Sequence, residues 1–180
     1  MSSRMKQGKL IIKRAASSDV ELLAEFASRV YADTFSAVNT PENMEAYLST
    51  AFAPARLQAE LADPAASFFL AEVDGKLAGY AKLMAGQPPA CVVGEAPVEL
   101  VRFYIDRIWQ GTGLSAAFMG HCLKEAKQQG YRTMYLGVWE HNARAHAFYR
   151  KWGFVRVGEH TFQMGDDPQV DWWMTKALED

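Results

Sequence analysis

A glycine-rich turn between a predicted strand and a predicted helix is the stretch best suited to bind an anion. It covers residues 110–115 and contains Gly111 and Gly113. Glycines let a backbone approach a ligand closely, and the N–H groups at the start of a helix point towards negative charge. The residue types and their spacing therefore predict a phosphate or pyrophosphate site in this turn.

Several loop types compete for this stretch. A P-loop requires a Lys-Ser/Thr pair right after its second glycine and a longer spacing between the glycines, and neither feature is present here. The spacing Gly111-x-Gly113-x-x-Ala116 fits a relaxed dinucleotide-binding motif, but that motif opens its helix directly at the end of a strand. Here residues 106–110 intervene, and too little chain follows for a second half. An ordinary strand-to-helix turn and a pyrophosphate loop of another family remain open.

The elements around the loop predict an α+β order. Residues 98–105 are rich in β-branched and aromatic side chains, which predicts a strand, and apolar residues recur every fourth position over 114–129, which predicts a helix. Upstream we expect a strand at 10–14, three helices, and a hairpin formed by strands at 67–73 and 76–84. Downstream we expect a strand at 132–138, a helix after Asn142, and strands at 154–163 and 170–176. This order predicts one domain, residues 1–180, with a mixed, twisted sheet of about seven strands flanked by helices.

Local signals fix several ends of these elements. Thr40 followed by Pro41 is typical of a helix start, and residues 17–19 offer side chains that could cap the first helix. Asp74-Gly75 is the strongest hairpin signal in the chain. Residues 164–168 predict the turn between the last two strands, because they combine Gly, Asp and Pro.

Composition excludes several classes of function. The 180 residues carry a formal net charge of −2, whereas a nucleic-acid-binding domain is expected to have a basic face. Cys91 and Cys122 lack the spacing of a metal site, so we expect two free thiols, no bound metal and a reducing compartment. The start of the chain, residues 1–9, is polar, and the apolar run at 10–12 is too short for a signal or a membrane span. We therefore expect a cytoplasmic protein that is not bound to a membrane.

Two segments resemble the GCN5-related N-acetyltransferases (GNAT). Gln110, Gly113 and Ser115 lie at the positions of the family's pyrophosphate loop, Gln/Arg-x-x-Gly-x-Gly/Ala, with Ser in place of the last small residue. Residues 142–154 resemble its Asn-x-x-Ala-x-x-Phe-Tyr-x-x-x-Gly-Phe segment. Residues 41–44, 46–48, 136–140 and 162–166 are similar to one subgroup, the PaiA-type spermine/spermidine acetyltransferases.

The resemblance implies a fold and a reaction. The GNAT fold implies a sheet that splays between its fourth and fifth strands, and the reaction implied is acetyl transfer from acetyl-CoA to a small primary amine. Polyamines are the first candidates for the acceptor. The alternatives are a protein N-terminus, an amino acid or an antibiotic amine as acceptor, and a non-catalytic acyl-CoA-binding regulator. Dimers are common in the family, so a homodimer is expected by analogy alone.

The family also implies which residues contact coenzyme A. The loop would bind the pyrophosphate through its backbone N–H groups, and the end of the preceding strand would bind the pantetheine arm through main-chain groups. Asn142 could contact the pantetheine or cap its helix, and Lys151 could reach a phosphate or remain solvated. The residues implied are Phe103, Tyr104, Ile105, Gln110, Gly111, Thr112, Gly113, Leu114, Ser115, Asn142, Tyr149 and Lys151.

Acetyl transfer also needs a general acid and a neutral amine. Tyr149 is the candidate acid by resemblance, since a phenol with a reference pKa of about 10 is protonated at neutral pH; its spacing alone would also suit a core residue. Glu99 is the first candidate for the base, or it binds the cation, or it pairs with Arg102 or Arg132. Glu140 is the second acidic candidate.

The acceptor pocket is expected from aromatic residues near the early helices. Tyr31, Phe35, Tyr47 and Trp139, with Glu140, could surround a cationic amine, although aromatic residues at helical spacing are more often core. His141 and His146 are expected at an exposed helix start, outside catalysis. Covalent catalysis by either cysteine is not favoured, because neither lies in a clearly basic setting.

Overall fold

The computed structural model describes residues 8–178, which form seven strands and five α-helices. The strands are β1 (Leu10–Arg14), β2 (Ala66–Val73), β3 (Lys76–Ala85), β4 (Pro97–Ile105), β5 (Thr133–Trp139), β6 (Val155–Met164) and β7 (Asp167–Ala177). The helices are α1 (Val20–Phe35), α2 (Pro41–Ala51), α3 (Pro54–Ala62), α4 (Leu114–Gln128) and α5 (Ala143–Lys151). The sheet has the strand order β1-β2-β3-β4-β5-β7-β6, which confirms the predicted seven-stranded mixed sheet.

The chain divides into two compact units. The first unit contains residues 8–82 with Arg102–Cys122, and the second contains Leu83–Val101 with residues 123–178. The single domain expected from the sequence is not tested by this division and stays a prediction. The polar start of the chain, residues 1–9, lies mostly outside the described residues. Within residues 8–178, no helix is both long and apolar enough to cross a membrane.

The first unit is built from helices packed on the antiparallel pair β1 and β2. Leu10 pairs with Val73 at one end of this ladder and Arg14 with Phe69 at the other. Between β2 and β3, Asp74 and Gly75 have φ values of 50° and 76°, the left-handed pair that a two-residue hairpin requires. The predicted hairpin turn is confirmed.

Helix starts in this unit follow the predicted positions, with one different cap. The Thr40 hydroxyl accepts a hydrogen bond from the Asn43 N–H at 3.2 Å, and Pro41 opens α2, as predicted. A 3-10 turn at Ser17–Asp19 precedes α1, but no side chain caps α1 there. The Asp19 carboxylate instead accepts from the Ala16 N–H at 2.8 Å, because it folds back on the turn itself.

The second unit contains the place where the sheet opens. β4 runs parallel to β5 over three pairs, from Pro97 with Thr133 to Glu99 with Tyr135. The pairing of β5 with β4 ends at Tyr135. β5 continues to Trp139, and over these last residues its pairing is with β7. The predicted splay between the fourth and fifth strands is confirmed.

The last hairpin is tighter than the sequence predicts. Met164 pairs with Asp167, so the turn has only two residues, whereas the sequence predicts a turn over 164–168. Pro168 lies inside β7 and pairs with Gln163. Proline is tolerated here because β7 pairs with β5 only from Asp171 onwards, so the missing N–H of Pro168 removes no bond of that ladder.

Candidate functional site

The glycine loop of the first unit adopts a shape that only small residues take easily. Gly111 and Gly113 have φ values of 77° and 95°, and α4 begins at Leu114 directly after them. The Thr112 hydroxyl donates to the Trp109 carbonyl at 2.6 Å, which pins the loop to the preceding 3-10 turn. Since the first N–H groups of an α-helix have no acceptor within the helix, this loop ends at a group of donors suited to an anion.

Gln110 closes the loop on its other side. Its amide Nε2 donates to the Ile105 carbonyl at 3.1 Å, so the side chain ties the loop to the end of β4. A Cβ atom added at Gly111 would meet nothing within 4 Å. Glycine is therefore needed at position 111 because of its left-handed backbone conformation, and not because a side chain would clash with a neighbour. The space that a side chain would occupy is open to a ligand.

The side chains at the end of β4 pack against other residues, although Phe103 and Tyr104 remain partly exposed. Phe103 stacks on Phe118 at 5.4 Å between ring centroids, and Tyr104 stacks on Tyr80 at 5.7 Å. Ile105 is buried. The family resemblance implies that main-chain groups of this part of β4 contact the ligand.

Tyr31 is the hub of an aromatic cluster in the first unit. Its ring lies 4.6 Å from Phe35, 4.6 Å from Tyr47, 5.7 Å from Phe52 and 6.2 Å from Tyr104. The structure thus brings together Tyr31, Phe35 and Tyr47, three of the aromatic residues predicted for the acceptor pocket. Tyr31 is buried, whereas Phe35 and Tyr47 are partly exposed, so the cluster is mostly core with an accessible edge.

A charged network that the sequence did not reveal lies in the same unit. The Glu60 carboxylate accepts from the Lys82 ammonium and from the Arg102 guanidinium, each at 2.8 Å. Burial alone would raise the pKa of Glu60, but the hydrogen bonds and charges of Lys82 and Arg102 outweigh it and lower the pKa. Arg102 is therefore not the partner that the sequence suggested for Glu99.

Asn142 and Tyr149 both belong to the second unit, at α5. The Asn142 Oδ1 accepts from the Ala145 N–H at 3.2 Å, which confirms that this residue caps the helix. Tyr149 contacts Phe148 and Phe154 edge-on at 5.5 and 5.7 Å and remains partly exposed. Tyr149 is thus not a fully enclosed core residue, and Lys151 on the same helix is exposed.

The two histidines near α5 differ, and the expectation for one of them is wrong. His141 is exposed and lies 3.6 Å from the Glu140 carboxylate. His146 is buried, stacks on Trp172 at 4.4 Å and donates its Nε2 hydrogen to the Trp139 carbonyl at 2.9 Å. Burial lowers the pKa of His146. Spacing along α5 could not reveal this, because Trp172 on β7 provides the covering face.

Glu99 lies beside Tyr135 where β4 and β5 are last paired. Burial raises the pKa of Tyr135 to about 12, and the Glu99 carboxylate adds to the shift. Tyr135 in turn packs edge-on against Trp173 at 5.9 Å. Glu99, the candidate base, is therefore at one end of a row of polar and aromatic side chains on one face of the second unit. We call this the row from Glu99 to Asp171; its members are Glu99, Tyr135, Trp173, His160 and Asp171.

The row continues to residues that sequence reasoning missed. His160 stacks on Trp173 at 4.2 Å, and His160 is paired with Asp171 across β6 and β7. Only the alternation of polar and aromatic residues in β7 could have indicated a common face. Their meeting depends on strand pairings that the sequence does not show.

The cysteines and the acidic residues give no metal centre in the described part of the chain. Cys122 is buried, Cys91 is partly exposed, and both are free thiols. Residues 8–178 contain no group of three or more His, Cys, Asp or Glu residues placed to hold a metal ion.

Comparisons with known proteins agree with this fold. Residues 25–154 match the Acetyltransferase (GNAT) family. An uncharacterized N-acetyltransferase in the pepI 3′ region of Lactobacillus delbrueckii subsp. lactis is 32% identical over 167 residues, covering 93% of this chain and 96% of that protein. An uncharacterized N-acetyltransferase of Mycobacterium tuberculosis is 32% identical over 161 residues, covering 89% of this chain and 99% of that protein.

Solved structures show the same fold at lower identity. The PaiA N-acetyltransferase from Thermoplasma acidophilum, crystallised with coenzyme A, has a TM-score of 0.75 at 21% identity and covers 94% of this chain and 99% of its own. The ribosomal-protein-S18-alanine N-acetyltransferase from Escherichia coli has a TM-score of 0.71 at 18% identity and covers 96% of each chain.

Proposed function

Since the chain belongs to the GNAT family of acetyltransferases, we propose that it transfers the acetyl group of acetyl-CoA to a small cationic primary amine. The glycine loop carries this proposal, because Gly111 and Gly113 hold a left-handed backbone directly before the 15-residue helix α4. A pyrophosphate is the ligand for which such a loop is suited. Polyamines such as spermidine are the first acceptors to test.

The donor would be held mainly by main-chain groups. The loop residues would bind the pyrophosphate, and β4 would bind the pantetheine arm; the residues we assign are Phe103, Tyr104, Ile105, Gln110, Gly111, Thr112, Gly113, Leu114 and Ser115. Thr112 provides no charge, so backbone N–H groups and the dipole of α4 must supply the attraction. Asn142, Tyr149 and Lys151 are the side chains assigned to coenzyme A. The coenzyme supplies the acetyl group as a thioester.

Tyr149 and Glu99 are assigned the two proton-transfer roles. Tyr149 is partly exposed, so its phenol can reach a ligand, and it would donate a proton to the leaving thiolate. Glu99 would accept the proton of the amine, directly or through water, or hold the amine as a cation. Glu99 is paired with Tyr135 at the end of the β4–β5 ladder, so the two side chains lie on the same face of the sheet, along which we propose that the acceptor binds.

In the first unit, Tyr31 and Phe35 are the residues proposed to contact the acceptor. In the second unit, taken by itself, Trp139 and Glu140 are the proposed acceptor-binding residues. Phe35 presents a partly exposed ring, and Glu140 presents a carboxylate whose side chain is 34% exposed. A ring face and a carboxylate both attract a cationic amine. A cytoplasmic location and a homodimer are part of the proposal, and light scattering in solution tests the dimer.

Thiol release from acetyl-CoA tests the proposed function. The purified protein is given a panel of amines that includes spermidine, spermine, amino acids, an aminoglycoside and an N-terminal peptide, and each product is identified by mass spectrometry. We expect one class of amine to accelerate thiol release and to gain one acetyl group. Coenzyme A binding by calorimetry without acceleration by any amine would instead favour a non-catalytic acyl-CoA-binding regulator.

A further inference from the structure

An exposed glycine in an otherwise buried strand marks an opening in the second unit. Gly137 is exposed, whereas Tyr135, Leu136 and Val138 around it in β5 are buried. Gly137 pairs with Trp173 across the β5–β7 ladder. It lies two residues beyond Tyr135, where the pairing with β4 ends, so the opening borders the splay of the sheet.

Three side chains converge on this opening. A Cβ atom placed on Gly137 would lie 3.3 Å from the His160 Cε1, 3.3 Å from the Trp173 Cζ3 and 3.7 Å from the Asp171 Oδ2. The absence of a side chain at Gly137 therefore leaves a narrow space, in which a methyl group would be crowded, bounded by an imidazole, an indole and a carboxylate. We call these residues the Gly137 pocket.

Side-chain polar atoms of His160 and Asp171 in this pocket have no hydrogen-bond partner within residues 8–178. The His160 Nδ1 is buried and neither accepts nor donates a hydrogen bond there. The Asp171 carboxylate makes no hydrogen bond within the same residues; burial raises the pKa of this carboxyl, and the charge of the neighbouring His160 partly offsets the shift. Buried polar groups without partners are costly, so a ligand that supplies N–H donors would stabilise this arrangement.

We propose that the Gly137 pocket binds a primary ammonium group of the acetyl acceptor. The ammonium would donate hydrogen bonds to the Asp171 carboxylate and the His160 Nδ1, while Trp173 forms one wall. A primary ammonium fits because it has three N–H donors and needs little room. Glu99 lies on the same row through Tyr135, so the acceptor would meet a second carboxylate along this face. This inference rests on the proposed function, since it names a subsite for that acceptor.

Two substitutions test the pocket, each with a matched control. Asp171→Asn removes the charge and keeps the shape, and Asp167→Asn makes the same change at an exposed position of the same strand. Gly137→Ala fills the gap, and Gly86→Ala adds a methyl group where nothing lies within 4 Å. Neither glycine has a left-handed φ, so alanine introduces no backbone strain at either position.

We expect Asp171→Asn and Gly137→Ala each to raise the KM for spermidine about 10- to 100-fold, the range for losing a hydrogen bond to a charged group. The KM for acetyl-CoA should stay within about twofold in all four variants. Calorimetry of 1,4-diaminobutane binding without acetyl-CoA should show the same loss, and tetramethylammonium, which has no N–H donor, should not compete. Thermal unfolding identifies any variant that loses function because it is unfolded.

The outcomes separate this inference from the proposed function. If the wild-type protein acetylates amines, but the folded variants keep the acceptor KM and Kd within about twofold, the pocket is not the ammonium subsite. If Asp171→Asn lowers thermal stability without weakening amine binding, Asp171 and His160 pair with each other and the inference is wrong. If no amine accelerates thiol release and no amine binds, the proposed function is wrong, and the ammonium subsite is wrong with it.

Discussion

Replacing Glu60 by Gln should strongly destabilise the protein, because two nearly buried cations would lose their carboxylate. Glu60 compensates Lys82 and Arg102, whose side chains are only 9% and 11% exposed. Gln keeps the volume and one acceptor oxygen but removes the charge. Breaking a buried ion pair by removing one partner costs about 3–5 kcal/mol, since the remaining charge is left uncompensated.

The cost can be compared with the charged hydrogen bonds that are lost. Glu60 accepts three hydrogen bonds from Lys82 and Arg102, and the two at 2.8 Å are the shorter ones. Loss of these two, at about 1.5–3 kcal/mol each, gives about 3–6 kcal/mol, which agrees with the previous range. For a protein of this size, 1 kcal/mol corresponds to about 2–4 °C in Tm, so we expect Glu60→Gln to lower Tm by roughly 6–20 °C. Urea unfolding followed by circular dichroism measures the free energy directly.

Arg56 provides the matched control because it contacts the same carboxylate at 3.2 Å but its side chain is 52% exposed. An exposed pair contributes only about 0.5 kcal/mol, so Arg56→Gln should change stability little. The pH dependence gives a second check. Because the folded pKa of Glu60 is lowered, its contribution is present above the unfolded pKa of about 4.3 and is lost as the pH falls through the folded pKa. A Glu60→Gln variant within about 1 kcal/mol of the wild type at neutral pH would refute this reasoning.

Three further substitutions are informative. Tyr80→Phe should raise the free energy of unfolding by about 1 kcal/mol, because the buried hydroxyl has no hydrogen-bond partner within residues 8–178; a loss of stability would mean that an unseen partner exists. Tyr149→Phe should lower kcat about 100-fold with an unchanged Tm, and an unaltered kcat would exclude its role as the acid. Gly79→Ala should lower stability by about 1–3 kcal/mol in chemical unfolding, because its Cβ would lie 2.6 Å from the Ile105 Cδ1, whereas Gly86→Ala should be neutral.

Features that depend on neighbouring residues in the chain could be predicted from the sequence. Thr40 with Pro41 and Asp74 with Gly75 act through their own backbone groups, and the structure confirms both. The glycine loop belongs to the same class, because its conformation follows from Gly111 and Gly113 themselves. Much of the element order could be predicted for this reason.

Features that depend on distant partners could not be predicted. His146 is buried by Trp172, which lies on β7 and is separated from α5 by the whole of β6. Glu60 is 42 residues from Arg102. The sequence places Pro168 in a turn, whereas the structure places it in β7. The sequence does not show that β5 pairs with β7 only from Asp171 onwards, which is why a proline is tolerated in this strand. In each case the local sequence pattern is compatible with the prediction, but a tertiary contact with a distant residue determines the burial, pairing or secondary structure that is observed.

The distribution of charge within each unit bears on the acceptor. In the first unit the Glu60 network joins one carboxylate to two nearly buried cations, so its surroundings repel a polycation. In the second unit the row from Glu99 to Asp171 has two carboxylates and the unpartnered Nδ1 of His160. A cationic amine should therefore be recognised by the second unit, and substitutions there should change its KM more than changes to the aromatic cluster do. An acceptor whose KM depends on Lys82 and not on Asp171 would carry a negative charge, which would exclude simple polyamines.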